Sequence, residues 1–456
     1  MKKKEKRHLK KQNRQAFARL LRIVKHFFPD FSKKLDGIKD PRDQARITYK
    51  LSTLLCSLIM KNLTGVVTMR AMNEQFNTDN AIACLGRLSG QEDLEELPDW
   101  QTCNNLLERL DQDELWNVQQ ELITELIRTN QFGKGKRNVR INGCWPIILD
   151  GTGYASFKQR HCEHDLTATY TDPKTNKQTV YYYHKVLVAR IVLDDHLTLT
   201  IGVEFIENEK EDVEKQDCEN RAAKRLIGRL HDAFPKLPVV VLGDGLYGVE
   251  SLMALCRGIG WHYIFNLKDG VQRAICRDFE ELIKDPVEGL HTKRISYRQE
   301  RGTAAWYNGM EKISGKEQTF NVVRYVFHDA KSDEEKLFQW VTDMEITDEN
   351  VKQMIRTGRG RWMIENQGFN TQKNGIFKIE HHCSLDPNGM KLHFLISQIA
   401  DLLNQLFLLY DDVLNALGLE CKTVAAELLI SFSRDAITPD DTAWIDKKTA
   451  LHKQRE

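Results

Sequence analysis

Apolar residues recur at helical spacing through the first quarter of the chain. Phe17, Leu20, Leu21, Val24, Phe27 and Phe28 share one face of an amphipathic helix that Pro29 stops. A second stripe of Ile47, Leu51, Leu54, Leu55, Leu58 and Ile59 predicts a helix over 42–62. Helical patterns continue over 69–85, from Asp99 and Trp100 through Leu106, Leu107 and Leu110, and over 115–127. Everything before about residue 130 therefore reads as all-helical.

Beyond the basic, glycine-punctuated segment Gly133-Lys134-Gly135-Lys136-Arg137 the period changes. Strand-like runs occupy 145–150, 181–193, 197–206 and 237–243, with a helix over 215–234 before the last of them. Asp194-Asp195-His196 is the tight connection of an antiparallel hairpin. Shorter strand-like runs at 293–298, 303–307, 319–327 and 337–342 predict a β-rich insertion over 271–345. A helix over 350–371, interrupted near Gly358 and Gly360, and a long apolar helix over 390–410 follow. The order strand, strand, strand, helix, strand predicts an α/β fold with an RNase H-like mixed sheet flanked by helices. In that fold the first and fourth strands lie side by side.

Two of those strands end in acids. Asp150 closes Trp145-Pro146-Ile147-Ile148-Leu149, Asp244 closes Val239-Val240-Val241-Leu242-Gly243, and glycine follows each. A short apolar run that ends in a carboxylate delivers the acid to the edge of a buried sheet, where an ion can reach it. Glu365 lies in the interrupted helix, where Arg361, Glu365 and Phe369 at i, i+4 and i+8 share a face. A guanidinium beside a carboxylate keeps it ionised and also binds phosphate. The rival reading of that pair is an ordinary salt bridge on a helix surface. Two strand-end aspartates and a helical glutamate suggest a site for hard divalent cations. A pair of these about 4 Å apart activates an attacking oxygen and stabilises a leaving one. The chain thus reads as a nuclease or strand transferase acting on DNA.

Total charge adds little, since 66 Lys and Arg balance 65 Asp and Glu to a net +1. Local charge is more telling: seven of the first eleven residues are Lys or Arg, suited to lying along phosphates or to forming a solvated tail. The ten cysteines form no Cys-x-x-Cys pair, which fits a reducing cytosol. No secretory leader pattern precedes the charged start. The stretch 51–60 falls short of the ~20 apolar residues of a bilayer span, so a soluble intracellular protein is expected.

These residues resemble the DDE transposases of bacterial insertion sequences, in the branch with a Tyr-Arg-Glu-Lys signature after the second aspartate. The resemblance covers about residues 140–410. Asp150 in Leu149-Asp150-Gly151-Thr152 is similar to the first catalytic acid, Asp244 in Gly243-Asp244-Gly245-Leu246-Tyr247-Gly248 to the second, and Glu365 to the third. Arg361 matches the signature arginine. Lys373 falls one residue further along than the signature lysine, and Gly358 stands where the tyrosine would be.

The resemblance implies two Mg2+ ions, replaceable by Mn2+, held by Asp150, Asp244 and Glu365. It implies that water cuts the phosphodiester at each transposon end and that the freed 3′ hydroxyl attacks target DNA. The implied partners are terminal inverted repeats, target DNA and further copies of the chain, as a homodimer or higher multimer, in a cytoplasmic, nucleoid-associated setting. The expected domains are a helical DNA-binding region with a basic arm (1–132), a catalytic core in two parts (141–270 and 346–410), the β-rich insertion (271–345) and a helical tail (411–456). DNA contacts are expected at Arg361, Lys373, Arg356, Arg359 and Trp306. Trp306 and Tyr307 are candidates to receive a flipped base, against the alternative that strand aromatics are core.

Other chemistry-bearing residues read more plainly. His161, Cys162 and His164 are spaced too tightly for an ordinary structural zinc site and read as a loop. His184 reads as a hydrogen-bonded sheet histidine, with an approach to the metals as its alternative. Asp217 and Glu219 suit the positive end of a helix, and His381 and His382 sit in a basic segment. The stretch 98–109, with Gln101, Thr102, Asn104, Asn105 and Arg109, is a candidate major-groove reader whose rival is a bundle helix. Two further functions stay open: a catalytically silent DNA-binding derivative, and an RNase H-like nuclease without strand transfer.

Overall fold

The computed structural model describes residues 15–129, 132, 138–211, 213–268, 272–297, 300–310, 319–329 and 332–447. The basic arm and the segment 133–137 lie outside the described residues. The described residues open with helices α1 (Ala16–Phe27), α2 (Phe31–Asp36), α3 (Leu51–Leu63), α4 (Met69–Phe76), α5 (Asp79–Ser89), α6 (Trp100–Leu107) and α7 (Gln112–Arg128). The helix expected over 42–62 begins only at Leu51. Arg42 holds the preceding segment in turns by donating to the Asp40 carboxylate and to the Tyr49 carbonyl. The pattern over 69–85 is two helices, because the Thr68 and Thr78 hydroxyls each cap a new N-terminus by accepting from Ala71 and Ala81 N–H.

The sheet follows, with β1 (Trp145–Phe157), β2 (Leu166–Thr171), β3 (Gln178–Asp194), β4 (Leu197–Ile206), α8 (Glu219–Ala233), β5 (Val239–Gly243), α9 (Glu250–Gly258) and β6 (His262–Asn266). Next come α10 (Arg273–Lys284), β7 (His291–Tyr297), β8 (Glu300–Met310), β9 (Phe320–Asp329) and β10 (Glu334–Thr342). Helix α11 (Val351–Arg359) leads to a π-helical turn (Ile364–Phe369) and α12 (Asn370–Asn374). Helices α13 (Pro387–Tyr410), α14 (Asp412–Leu417), α15 (Cys421–Arg434) and α16 (Pro439–Asp446) end the described chain.

One ten-stranded sheet runs β2-β3-β1-β5-β6-β10-β9-β8-β7, with β4 paired to β3. Strands β1, β5 and β6 are mutually parallel, while β3 is antiparallel to both β1 and β4. The order β4-β3-β1-β5-β6 is the RNase H-like arrangement. The β-rich insertion forms no separate layer: β10 pairs with β6, so its strands continue the same sheet.

The two faces of the sheet are covered differently. Gly202 on β4 lies under Leu226 and Leu230 of α8, where a Cβ would come within 2.9 Å of both side chains. On the opposite face Arg190 of β3 is fully buried and pairs with Asp401 of α13 at 2.9 Å. Helix α13 is long and apolar enough to cross a membrane, a longer apolar segment than the 51–60 run, but 83% of its apolar window is buried inside the fold. It packs against α3, every residue of which is buried, and against α7, α6 and α1. Arg19 of α1 reaches Asp411 at 2.8 Å, and α15 and α16 pack on α1, so the first and last described helices meet beside α13.

Candidate active site

The apolar run of β1 is buried because both faces of the sheet are covered there, and the chain reaches polar surroundings only at Asp150. Strand β5 runs parallel beside it, with Trp145 opposite Val239 and Ile148 opposite Leu242. Two residues further along each strand stand Asp150 and Asp244. The acids expected to meet are therefore brought to neighbouring positions by strand register. Asp244 ends its strand in a turn, its Oδ1 accepting from Leu246 N–H at 2.8 Å, and Lys268 lies 3.5 Å from its Oδ2.

Glu365 arrives on the π-helical turn, which packs against β1 and β4. Such turns widen a helix locally and recur at functional sites. Gly368 lets this turn approach the sheet: a Cβ there would stand 3.3–3.4 Å from the Arg190 guanidinium. Arg361 Nη1 lies 3.4 Å from Glu365 Oε1 and 3.8 Å from Asp150 Oδ2. Its side chain is 9% exposed, so it is a buried bridge between two acids and not the surface pair that rivalled it.

A fourth carboxylate joins from the other face. Glu219, the first residue of α8, accepts from Lys185 Nζ and from the Tyr247 hydroxyl, the latter at 2.5 Å. It sits directly on Gly151, where a Cβ would come within 2.5 Å of its carboxyl carbon. Burial pushes the Asp150 carboxyl up to about 6; Arg361 opposes this, while Glu219 and Glu365 add to it. Burial and then Glu219 hold the Tyr247 phenol well above its ordinary value, so it stays a hydrogen-bond donor. Sequence reading assigned Glu219 to helix polarity alone. The missed signal was the glycine after Asp150, which leaves room for it.

Arg356 donates to both Asp195 oxygens at 2.7 Å, Arg359 pairs with Glu300, and Lys373 lies 2.8 Å from Glu380. Gly358 occupies the signature tyrosine position because Trp340 fills the space: a Cβ would meet its ring at 2.6 Å. Trp306 is 2% exposed and stacks on His291 with centroids 5.3 Å apart, the position of a core aromatic. In α6, Gln101 and Asn105 are exposed, whereas Asn104 turns inward to the Cys383 carbonyl and to His393.

Among the described residues, the group of metal-ligating side chains that already converges is His161, Cys162, Asp165 and His184, whose ligand atoms lie within 4.8 Å of one another. His161 and Cys162 do lie in the loop between β1 and β2, and that loop brings their side chains to Asp165 and His184. His164 takes no part and instead contacts the Asn208 carbonyl at 2.9 Å.

The strand order defines an RNase H-like protein, with acids at the ends of its two central parallel strands. Over residues 147–403, more than half its length, the chain matches the family described as Transposase DDE domain, and over 32–122 the family described as DDE_Tnp_1-associated. The chain belongs to the transposase DDE domain family. Among solved structures it is similar to the piggyBac transposase synaptic complex with hairpin DNA, determined by cryo-EM. That similarity has 10% identity and a TM-score of 0.39, covering 95% of this chain and 82% of that one. No curated protein matches it.

Proposed function

We propose that this protein is a DNA transposase that cuts at the ends of its own element and joins them to target DNA. What supports the reading is the placement of Asp150 and Asp244 at neighbouring strand ends, with the Arg361 guanidinium between Asp150 and Glu365. An all-oxygen set suits hard Mg2+ or Mn2+; burial chiefly raises the Asp150 carboxyl, and the charge of Glu219 and Glu365, which adds to it, is what such ions would relieve. Asp150, Asp244 and Glu365 would hold them. Bound there, the ions supply an activated water and neutralise charge on the phosphodiester.

The remaining side chains prepare that arrangement. Arg361 opposes the burial that raises the Asp150 carboxyl and offers a guanidinium to phosphate. Glu219, fixed by Lys185 and Tyr247, packs on Gly151 and adds a negative charge beside Asp150. Two element ends must meet, so the working form is a multimer on DNA, and its setting is the bacterial cytoplasm.

The test incubates the protein with Mg2+ and a DNA fragment carrying the element's terminal inverted repeats. Cleavage followed by strand joining is expected, lost in Asp150→Asn, Asp244→Asn and Glu365→Gln while end binding persists. Cleavage that survives these changes sinks the triad. Binding without any cleavage by the unaltered protein identifies a silent derivative, and cleavage without joining a plain nuclease.

A further inference from the structure

The cluster of His161, Cys162, Asp165 and His184 lies beyond the far end of β1 from the parallel register that brings the acids together. His161, Cys162 and Asp165 belong to the loop between β1 and β2, and His184 comes from β3, paired to Ala155. Asp165 and His184 are fully buried at 0% and 1% exposure. Asp165 Oδ2 accepts from the backbone N–H of His161 at 2.6 Å and of Cys162 at 3.2 Å, which turns Oδ1 toward Cys162 Sγ at 3.5 Å and His184 Nε2 at 3.0 Å.

Several buried polar atoms there lack partners. Neither ring nitrogen of His184 makes a hydrogen bond, since its approach to Asp165 lacks the geometry, and His161 Nδ1 has none either. His161 Nε2 contacts the Leu385 carbonyl at 2.7 Å, an acceptor that requires the proton on Nε2. Its Nδ1 therefore carries a free lone pair. A buried polar atom without a partner is costly, and one nitrogen from each imidazole, with one carboxylate oxygen and one thiol, gives four ligand atoms within 4.8 Å of one another.

We propose that His161 Nδ1, Cys162 Sγ, Asp165 Oδ1 and His184 bind one zinc ion in a closed, structural site. Two neutral imidazoles, a thiolate and a carboxylate make the bound ion electrically neutral, which suits a buried position. Tetrahedral zinc, with bonds of about 2.0–2.3 Å, separates such ligand atoms by roughly 3.3–3.6 Å; Cys162 Sγ and Asp165 Oδ1 already stand at 3.5 Å, and His184 Nε2 and Asp165 Oδ1, at 3.0 Å, need to part slightly. Burial holds His184 down to about 4, the neutral form a ligand needs. The bound ion displaces the proton of the Cys162 thiol, which burial otherwise pushes up to about 11.

The outer contacts give the site a purpose. Besides the bond to the Leu385 carbonyl, the His161 ring stacks on Phe157 at 4.3 Å, and Phe157 stacks on His382 at 4.8 Å. His382 and Leu385 lie in the segment joining the Glu365 turn to α13. Zinc would clamp the β1–β2 loop and β3 to that segment, steadying the helical elements that carry the third acid, without joining the chemistry.

The full-length protein is expressed in zinc-supplemented medium, dialysed and assayed for metal. About one zinc per chain is expected, retained in Asp150→Asn and reduced about tenfold or more in His184→Ala and Cys162→Ser. Replacement by Co2+ in the unaltered chain should give tetrahedral d–d bands and a thiolate-to-cobalt charge-transfer band that Cys162→Ser removes. The proposal fails if the unaltered protein holds no zinc and gives no such bands. It fails equally if the metal disappears in Asp150→Asn but survives in Cys162→Ser.

Discussion

Gly151 lies under the carboxyl group of Glu219 so closely that a Cβ added to it would meet the carboxyl carbon at 2.5 Å. Glu219 cannot simply swing away, because Lys185 and Tyr247 both hold it. Gly151→Ala should therefore push Glu219 against its partners and shift Asp150. Overpacking of this kind costs about 1–3 kcal/mol, against a gain of about 0.4–1 kcal/mol from a stiffer unfolded chain. We expect a lowered thermal midpoint and a marked loss of DNA cleavage. In a Glu219→Ala background the stability cost should largely vanish, and a double-mutant cycle with no coupling would contradict the contact.

The buried pair of Arg190 and Asp401 links β3 to α13 beneath the Glu365 turn. Asp401 Oδ2 also accepts from Gln372 Nε2 at 3.1 Å and Gln405 Nε2 at 2.9 Å. Removing one member of a buried pair leaves an uncompensated charge and costs about 3–5 kcal/mol, whereas replacing both with apolar groups is often near neutral. Arg190→Met should thus destabilise strongly, and Arg190→Met with Asp401→Leu less than Arg190→Met alone. Urea unfolding of the three proteins checks this; a double variant weaker than the single one refutes it.

Much of this site is legible in the sequence because its two aspartates terminate continuous apolar runs, a pattern that needs no tertiary information. Arg361 and Glu365 were readable from helical spacing, although the helix is in fact widened into a π turn. What was not legible depends on pairing between distant segments. Strand β2 shows almost no burial alternation, with only Leu166 buried, so its period carries no signal. Glu219 and His184 have unremarkable neighbours in sequence; Glu219 meets Lys185 and Tyr247, and His184 comes beside Asp165, only when the fold forms. The core position of Trp306 is among the readings its strand pattern offers, but sequence alone could not reveal the acidic partners that Arg356, Arg359 and Lys373 have in the fold.

Gly358 stands where the related signature carries tyrosine, and restoring that side chain should harm the protein. Any Cβ at this position meets the Trp340 ring at 2.6–2.9 Å, and Trp340 is 1% exposed between β9 and β6. Gly358→Ala should cost about 1–3 kcal/mol, and Gly358→Tyr more than that. We expect the thermal midpoint to fall in the order Ala then Tyr, with partial recovery when Trp340→Leu is added. A Gly358→Tyr variant with unchanged stability and improved cleavage would show that the ring has somewhere else to go.

His393 on α13 supplies a pH dependence that can be assigned in advance. Its Nε2 lies 3.1 Å from Asn104 Oδ1, and burial, with Lys61 and His381 nearby, pushes its pKa down to about 3 from 6.5. Between those values the unfolded chain binds a proton that the folded chain refuses, so acidification favours unfolding. The contribution is fully present above 6.5 and is lost progressively as pH falls toward 3. His262 works in the opposite sense, since its hydrogen bond to Asp343 raises its pKa and its contribution fades as pH rises. His393→Gln keeps a donor for Asn104 but cannot take up the proton. Its thermal midpoint should fall less than that of the unaltered protein between pH values of about 7 and 5. Equal slopes in the two proteins would remove His393 from the account and leave the acid sensitivity to other buried histidines such as His184.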